Sequence, residues 1–359
     1  MTQTQIRIAV VGLNFGSSFV EIYHKHPNVE YVGICDTDTH KIEQVSQEHG
    51  ITRTHSSIQE VLDSPDYDAV HLCTPIPTHA QLTLDVLNAG KHCACTVPMG
   101  TTLEELRQIV YTAETRQKND MMMETAVYTS FYLMVKEWIA RGEFGNIQFL
   151  RGYHYQDMEN WPSYWRGLPP MHYATHAIAP LLAISNTRAA KVHCFGSGYM
   201  REELVSQYGN PFPIECAIFE LDQPGLCAEV TRSLFHTAKQ AIESFSVYGE
   251  KASFDWPIDG PVLFRLDEQA QSIFGSNAYI REKVEPMNFG HLLPLEIAHL
   301  TRGGHHGSHP HLIHEFVRSI VEHRSPSIDA KTAANWTAAG ICAHQSAMNG
   351  GQAVIIPTF

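Results

Sequence analysis

The chain has 359 residues, a formal charge of −13 from 25 Lys and Arg against 38 Asp and Glu, and 43% hydrophobic residues. A single hydrophobic core stops growing near roughly 250–300 residues, so two domains are expected. With only 18% charged residues and 10% aromatics, a disordered chain is excluded. The acidic balance, with no Lys/Arg cluster, argues against nucleic acid or an anionic membrane as partner. No apolar run approaches the ~20 residues that span a bilayer, and the opening MTQTQIRIAVVG lacks the apolar stretch of a signal peptide. Eight cysteines are scattered, and the close pair Cys93-x-Cys95 has no second pair to complete a zinc site. They read as buried thiols of a cytoplasmic protein, with no metal expected.

The first ~125 residues alternate strand and helix patterns. Ile6–Val11 reads as a strand, Ser17–His26 as an amphipathic helix and Val29–Cys35 as the next strand. Helices over Lys41–His49 and Ile58–Leu62, strand Ala69–Cys73, helix Ala80–Ala89 and strand His92–Cys95 follow. Helix Leu103–Lys118 and strand Met121–Val127 complete a doubly wound parallel sheet with right-handed crossovers, the Rossmann arrangement. Residues 126–359 form the second domain of an α/β chain. A helix over Phe131–Arg141 precedes strand Ile147–Tyr155, a Trp/Pro-rich loop over Asp157–Pro170 and a helix over Met171–Ile184. Strands Lys191–Gly196, Glu215–Leu221, Cys227–Arg232, Ile242–Tyr248 and Ala252–Trp256 succeed one another without helices, so this α+β domain is expected to hold a large, open, mostly antiparallel sheet. A His-rich loop, Gly303–His311, leads to helices Leu312–Glu322 and Ala330–Met348.

The turn after the first strand reads Gly12-Leu13-Asn14-Phe15-Gly16-Ser17. A dinucleotide-binding turn needs Gly where the chain bends, a small residue where backbone meets pyrophosphate, and another where helix meets strand. Gly12 and Ser17 fit the first and third places. Asn14 stands at the second, and Asn tolerates positive φ better than most residues. The helix beginning near Gly16 would face the phosphates. Asp36 ends the second strand, where a carboxylate accepts hydrogen bonds from both ribose hydroxyls and repels a 2′-phosphate; no Arg follows in Thr37-Asp38-Thr39-His40. NAD is therefore expected rather than NADP.

Cys73-Thr74-Pro75-Ile76-Pro77-Thr78-His79 after the third strand, and Ala89-Gly90-Lys91-His92 before the fourth, resemble the Gfo/Idh/MocA oxidoreductase family over the whole chain. Gly142-Glu143-Phe144-Gly145-Asn146 matches the join to that family's large sheet. The resemblance implies that sugars or polyols bind between the two domains and that the chain forms a homo-oligomer, a dimer or tetramer. It implies a cofactor site drawn from Gly12, Asn14, Phe15, Gly16, Asp36, Thr74, Pro75, His79, Thr96, Pro98, Trp165 and Arg166. Two motifs depart from the family. Its Glu-Lys-Pro is Thr96-Val97-Pro98 here, so the catalytic ammonium is missing, and its Asp-x-x-x-His is His172-Tyr173-Ala174-Thr175-His176. Val-Pro, Thr175-His176 with Pro180, Gly303-Gly304-His305 and Ala333-Ala334-x-Trp336 resemble instead the family's NAD-dependent α-N-acetylgalactosaminidase branch, although the Glu before its Val-Pro is Thr96 here.

Oxidising a secondary alcohol needs a hydride acceptor and a base for the hydroxyl proton, and imidazole suits the second task. The resemblance gives that role to His176. His172, four residues earlier, would share its helix face and serve as a catalytic or substrate-binding group. Pro180 lacks the N–H that would bond the His176 carbonyl, so a kink or interruption is expected there. Tyr128 lies beyond the carboxyl end of the last strand, where open α/β sheets bind ligands; it reads equally as a packing residue. Trp161, Trp165 and Arg166 read as sugar- or cofactor-clamping groups or as packing. The cluster from His305 to His314 reads as a substrate loop, a solvated loop or a metal site. The expected substrate contacts are Thr96, Tyr128, Tyr155, Trp161, His172, His176, His305 and His306. Three functions stay open: hydride transfer from a sugar, polyol or glycoside hydroxyl to nicotinamide; redox-assisted glycoside hydrolysis through C3 oxidation, C1–C2 elimination, water addition and re-reduction; and NAD sensing without turnover.

Overall fold

A computed structural model describes residues 4–238, 241–267 and 278–359. The chain divides into two compact units, one of residues 1–129, 288–338 and 359, the other of residues 130–287 and 339–358. Residues 288–338, which the sequence reading assigned to the second domain, group with the first unit.

The first unit holds six strands: β1 (Ile6–Val11), β2 (Val29–Cys35), β3 (Arg53–His55), β4 (Ala69–Leu72), β5 (His92–Cys95) and β6 (Asp120–Met122). Their order is β3-β2-β1-β4-β5-β6 and every neighbouring pair is parallel. Between them run α1 (Leu13–Lys25), α2 (Thr39–His49), α3 (Ile58–Asp63), α4 (His79–Asn88) and α5 (Leu103–Arg116). Strands β1 and β4 are buried almost throughout, as a sheet covered on both faces requires. Helix starts follow local chemistry: Asp38 caps α2, Ser57 caps α3, and Thr102 with Glu105 forms a reciprocal capping box on α5. The expected strand Met121–Val127 ends early. Glu124 accepts the N–H of Ala126 at 3.0 Å and starts a 3-10 turn over Thr125–Tyr128.

The second unit is built on α6 (Ser130–Ala140), β7 (Ile147–Tyr155), α7 (Thr175–Ser185), β8 (Ala189–Ser197), α8 (Glu202–Val205), β9 (Ile214–Leu221) and β10 (Cys227–Ser233). Four more strands follow: β11 (Ala241–Gly249), β12 (Ala252–Asp255), β13 (Val262–Asp267) and β14 (Ala278–Lys283). With β15 (Val354–Ile355) they make a nine-stranded sheet, β14-β13-β12-β11-β7-β10-β9-β8-β15. Every neighbouring pair is antiparallel except β7 with β10. The backbone of α7 lies directly on β7, since a Cβ on Gly152 would sit 2.1 Å from the Ala177 carbonyl oxygen. Helices α9 (Leu295–Ala298) and α10 (Gly304–Val321) belong to the first unit, and α11 (Ala330–Met348) contributes residues to both.

Candidate functional site

In the first unit, the switch in strand order falls between β1 and β4, where open α/β sheets bind their ligands. Gly12 joins β1 to α1 with φ +91°, and a Cβ there would stand 2.5 Å from the Cys73 carbonyl oxygen. A Cβ on Gly16 would meet Val10 Cγ1 at 2.9 Å. The N-cap of α1, Gly12, makes no side-chain capping bond, and the first-turn N–H groups beyond Leu13 suit an anion. Asp36 receives the Leu13 N–H on Oδ2 at 2.7 Å and the Asp38 N–H on Oδ1 at 2.9 Å. A carboxylate offers about four lone-pair sites, so it can still accept ribose hydroxyls. Asn14 Oδ1 accepts the Lys41 ammonium, a partner the sequence reading missed. This glycine cradle, open helix end and carboxylate fit a dinucleotide.

The loops beyond β4 and β5 are braced by His79, which is 1% exposed. Its Nδ1 lies 2.8 Å from the Pro98 carbonyl and its Nε2 2.8 Å from the Thr74 carbonyl, with Thr96 Oγ1 at 3.4 Å. His79 therefore contacts the Thr74 and Pro98 carbonyls from a buried position rather than presenting its ring at the surface. Thr74 Oγ1 accepts from Thr78, Pro75 is exposed, and the Val97–Pro98 peptide is cis. Tyr128 closes its 3-10 turn with its hydroxyl 2.5 Å from Ser327 Oγ.

The His-rich loop is more ordered than expected. His305, His306 and Gly307 are all left-handed, with φ of 47°, 51° and 83°, and α10 proceeds from there. Gly307 has no room for a side chain, since a Cβ would stand 2.3 Å from the Thr301 carbonyl oxygen. The rings of His305 and His309 lie 5.8 and 5.7 Å from Phe15, edge-on, so this segment meets the dinucleotide turn itself. Among the described residues no cluster of three or more His, Cys, Asp or Glu is gathered for a metal. A cavity of about 480 Å³, lined by His92, Lys118 and Asp120 among others, lies at the amino ends of β5 and β6, away from this turn.

In the second unit, His176 is 4% exposed on α7, its Nε2 3.2 Å from the Tyr173 hydroxyl. Its ring lies 5.4 Å from that of His154. The expectation that His172 and His176 share one helix is corrected. His172 belongs to a 3-10 turn, Pro170–Tyr173, and α7 starts only at Thr175. The physical reason is that the Tyr173 carbonyl is taken by Arg232 Nε at 2.8 Å. Of the kink or interruption expected at Pro180, the interruption is absent, because α7 runs through it. His172 packs edge-on against His344 with ring centres 5.0 Å apart, and burial together with His344 pushes its imidazole down to about 3. Trp165 is buried edge-on to Tyr173 at 4.7 Å, Trp161 and Arg166 are exposed, and Tyr155 ends β7 half-buried.

Sequence reading missed three residues here. Glu215 is fully buried; its Oε2 accepts the Met171 N–H at 2.8 Å and its Oε1 lies 2.7 Å from His344 Nδ1. Arg232, also fully buried, donates to the carbonyls of Tyr173, His154 and Ser233 and to Gln156 Oε1. The available signal was strand phase: Glu215 alternates with inward-facing Ala217 and Phe219, and Arg232 with Ala228 and Val230. His344, on α11, carried no such mark.

The class is a Rossmann domain joined to an α+β domain with a large open sheet. Residues 6–124 match the Gfo/Idh/MocA sequence profile, described as an oxidoreductase family with an NAD-binding Rossmann fold. The chain is similar to an alpha-N-acetylgalactosaminidase of Shewanella oneidensis, 31% identical over 203 residues, or 50% of this chain and 44% of that protein. It is 27% identical over 194 residues to a glycosyl hydrolase family 109 protein of Porphyromonas gingivalis, covering 49% of this chain and 42% of the relative. The matches thus span less than half the length of these curated relatives. Levoglucosan dehydrogenase in complex with NADH and L-sorbose shares the fold, with TM-score 0.80, 18% identity, and coverage of 99% of this chain and 100% of that one. So does myo-inositol 2-dehydrogenase of Lactobacillus plantarum, with TM-score 0.73, 18% identity, and coverage of 98% and 100%. Residues 6–124 of this chain thus carry the NAD-binding Rossmann part of the Gfo/Idh/MocA family.

Proposed function

We propose that the chain is an NAD-dependent enzyme that oxidises a secondary hydroxyl of a sugar, polyol or glycoside, with His176 as the acid/base. The carrying observation is a buried imidazole fixed by Tyr173 at 3.2 Å, in a chain whose other unit offers a dinucleotide cradle. Gly12, Asn14, Phe15 and Gly16 would hold the pyrophosphate of NAD, Asp36 the ribose, and Thr74, Pro75, Thr96 and Pro98, braced by His79, the nicotinamide end. Bound NAD supplies the hydride acceptor for such an oxidation. His176 takes the hydroxyl proton, a task imidazole performs well near neutral pH. His172, held neutral, binds a substrate hydroxyl without competing for that proton. Thr96 replaces an ammonium with a hydroxyl, which can orient the reacting oxygen but lends no charge. Tyr128, Tyr155, Trp161, His305 and His306 complete the proposed substrate contacts, and Trp165 and Arg166 the cofactor contacts.

The names of the curated relatives favour a second reading, redox-assisted glycoside hydrolysis. His176 then serves the C3 hydroxyl and Tyr128 takes the C2 proton; the C1 substituent leaves, water adds at C1, and no cofactor is consumed overall. Incubation with p-nitrophenyl glycosides and free sugars separates the readings. Stoichiometric NADH from a free sugar supports the first. Many turnovers of nitrophenol without net NADH support the second. Bound NAD with neither product leaves a sensor.

Among the described residues no helix is long and apolar enough to cross a membrane. All eight cysteines are free, which suits a reducing compartment such as the cytoplasm. Phe195 and Ile218, exposed at 58% and 47% on neighbouring strands β8 and β9, support a homo-oligomer formed through the outer sheet face. Light scattering tests it, and a monomer would refute it.

A further inference from the structure

Three independent contacts converge on the short turn that carries His172. Glu215 on β9 holds its start, accepting the Met171 N–H at 2.8 Å. Arg232 on β10 holds its end, donating to the Tyr173 carbonyl at 2.8 Å. The two are directly paired cross-strand neighbours, and both are fully buried. From the other side comes α11: a Cβ on Gly340 would stand 2.1 Å from the Met171 carbonyl oxygen, and one turn later His344 lies against the His172 ring. Glu215 also accepts from His344 Nδ1 at 2.7 Å, which selects the tautomer with its proton on Nδ1. Removing charged groups from water is costly unless their hydrogen bonds are well made, and here those bonds define one small segment.

We infer that Glu215 and Arg232, with His344, are positioning residues that fix the Pro170–Tyr173 turn, so that His172 is held directly and His176 is held through the Tyr173 hydroxyl. This rests on the proposed roles of the two histidines, but the geometry exists without substrate. Tyr173 is the link: its carbonyl is fastened to Arg232 and its hydroxyl to His176 Nε2. A helix through residues 171–176 would leave the Tyr173 carbonyl to its own helix rather than to Arg232.

The test is nuclear magnetic resonance of the full chain with ¹⁵N-labelled histidine, its signals assigned by single His→Gln variants. In the wild type, a far-downfield, exchange-protected Nδ1 proton is expected for His344. Glu215→Gln leaves one acceptor for two donors, so that proton is lost and the His172 and His176 signals shift and broaden. The uptake of NAD stays within about twofold. A second variant, Gly340→Ala, pushes the turn at Met171 and moves the same two signals without touching a charge. A His344 lacking the protected proton in the wild type overturns the inference, whether or not the variants fold. So do unaltered His172 and His176 signals in folded Glu215→Gln. Absence of sugar turnover in the wild type would count against the proposed function alone, because the resonance readout needs no turnover.

Discussion

The Leu13 N–H donates to Asp36 Oδ2 at 2.7 Å, tying the end of β2 to the first residue of α1. The carboxylate proposed to read the ribose thus also holds the dinucleotide turn. Charge-assisted hydrogen bonds contribute roughly 1.5–3 kcal/mol each, so Asp36→Ala should weaken NAD binding by about tenfold to a hundredfold. It should also narrow the preference for NAD over NADP, since the repelling charge is gone. Calorimetry with both cofactors checks this; unchanged affinities would remove Asp36 from the ribose site.

Gly12 occupies a left-handed conformation with its α-carbon against the Cys73 carbonyl. Gly12→Ala combines a backbone penalty of roughly 1–2 kcal/mol with a clash that only movement of the turn can relieve. A lower melting temperature and loss of NAD uptake are expected. Calorimetry beside a thermal melt reads both.

His176 and Tyr173 separate chemistry from positioning. His176→Asn should abolish turnover and leave NAD binding intact. Tyr173→Phe removes one hydrogen bond, worth about 0.5–1.5 kcal/mol, so kcat should fall up to about tenfold with NAD affinity unchanged. Steady-state kinetics on whichever substrate turns over gives both numbers.

Among the described residues seven histidines have depressed affinity for protons, His79 and His314 among them through burial. Burial holds His26, His71 and His172 at about 3, and His92 and His311 at about 4. Unfolded, each would titrate near 6.5, so below that pH the unfolded chain binds more protons. Their contribution to stability is complete above about pH 6.5 and is lost as the pH falls toward 4 and 3. Asp120 acts oppositely: burial raises it to about 7, so its contribution is lost as pH rises from its unfolded value to that point. Because these histidines outweigh Asp120, the denaturation midpoint in urea should fall steadily between pH 7 and roughly pH 4. A flat profile would contradict the buried histidine environments.

Thiol chemistry follows burial. Cys35, Cys73, Cys93, Cys95, Cys194 and Cys342 are buried, whereas Cys216 is exposed and Cys227 partly so. Burial pushes the thiols of Cys35, Cys73, Cys93 and Cys95 up, away from the reactive thiolate. Ellman's reagent should modify Cys216, which pairs with Phe195 on the proposed oligomer face, quickly only in dissociated protein, Cys227 slowly, and the rest only after denaturant is added.

Local patterns carried the Rossmann half into view. Gly12, Asp36 and the alternation of strands with helices act over neighbouring residues, so composition and spacing report them. The histidine half was readable only in part, because its geometry is set from far along the chain. Nothing near Tyr173 announces that a residue 59 positions later will take its carbonyl, and a helix through 171–184 is the natural local reading. Likewise, Glu124 ends the last parallel strand by capping a tight turn, which apolar periodicity over Met121–Val127 hides. Residues 288–338 group with the first unit through packing that no composition shift marks. Charges in phase with buried strand positions, as at Glu215 and Arg232, were the one signal present and unused.

The central claim is that a glycine cradle and a carboxylate bind NAD for chemistry at a carbohydrate hydroxyl. Titration of NAD into cofactor-stripped protein, followed by calorimetry, tests it most directly. Saturable uptake of one NAD per chain, weakened in Asp36→Ala and unchanged in His176→Asn, is the predicted result. Absence of heat and of any retained nucleotide in folded wild-type protein would contradict it.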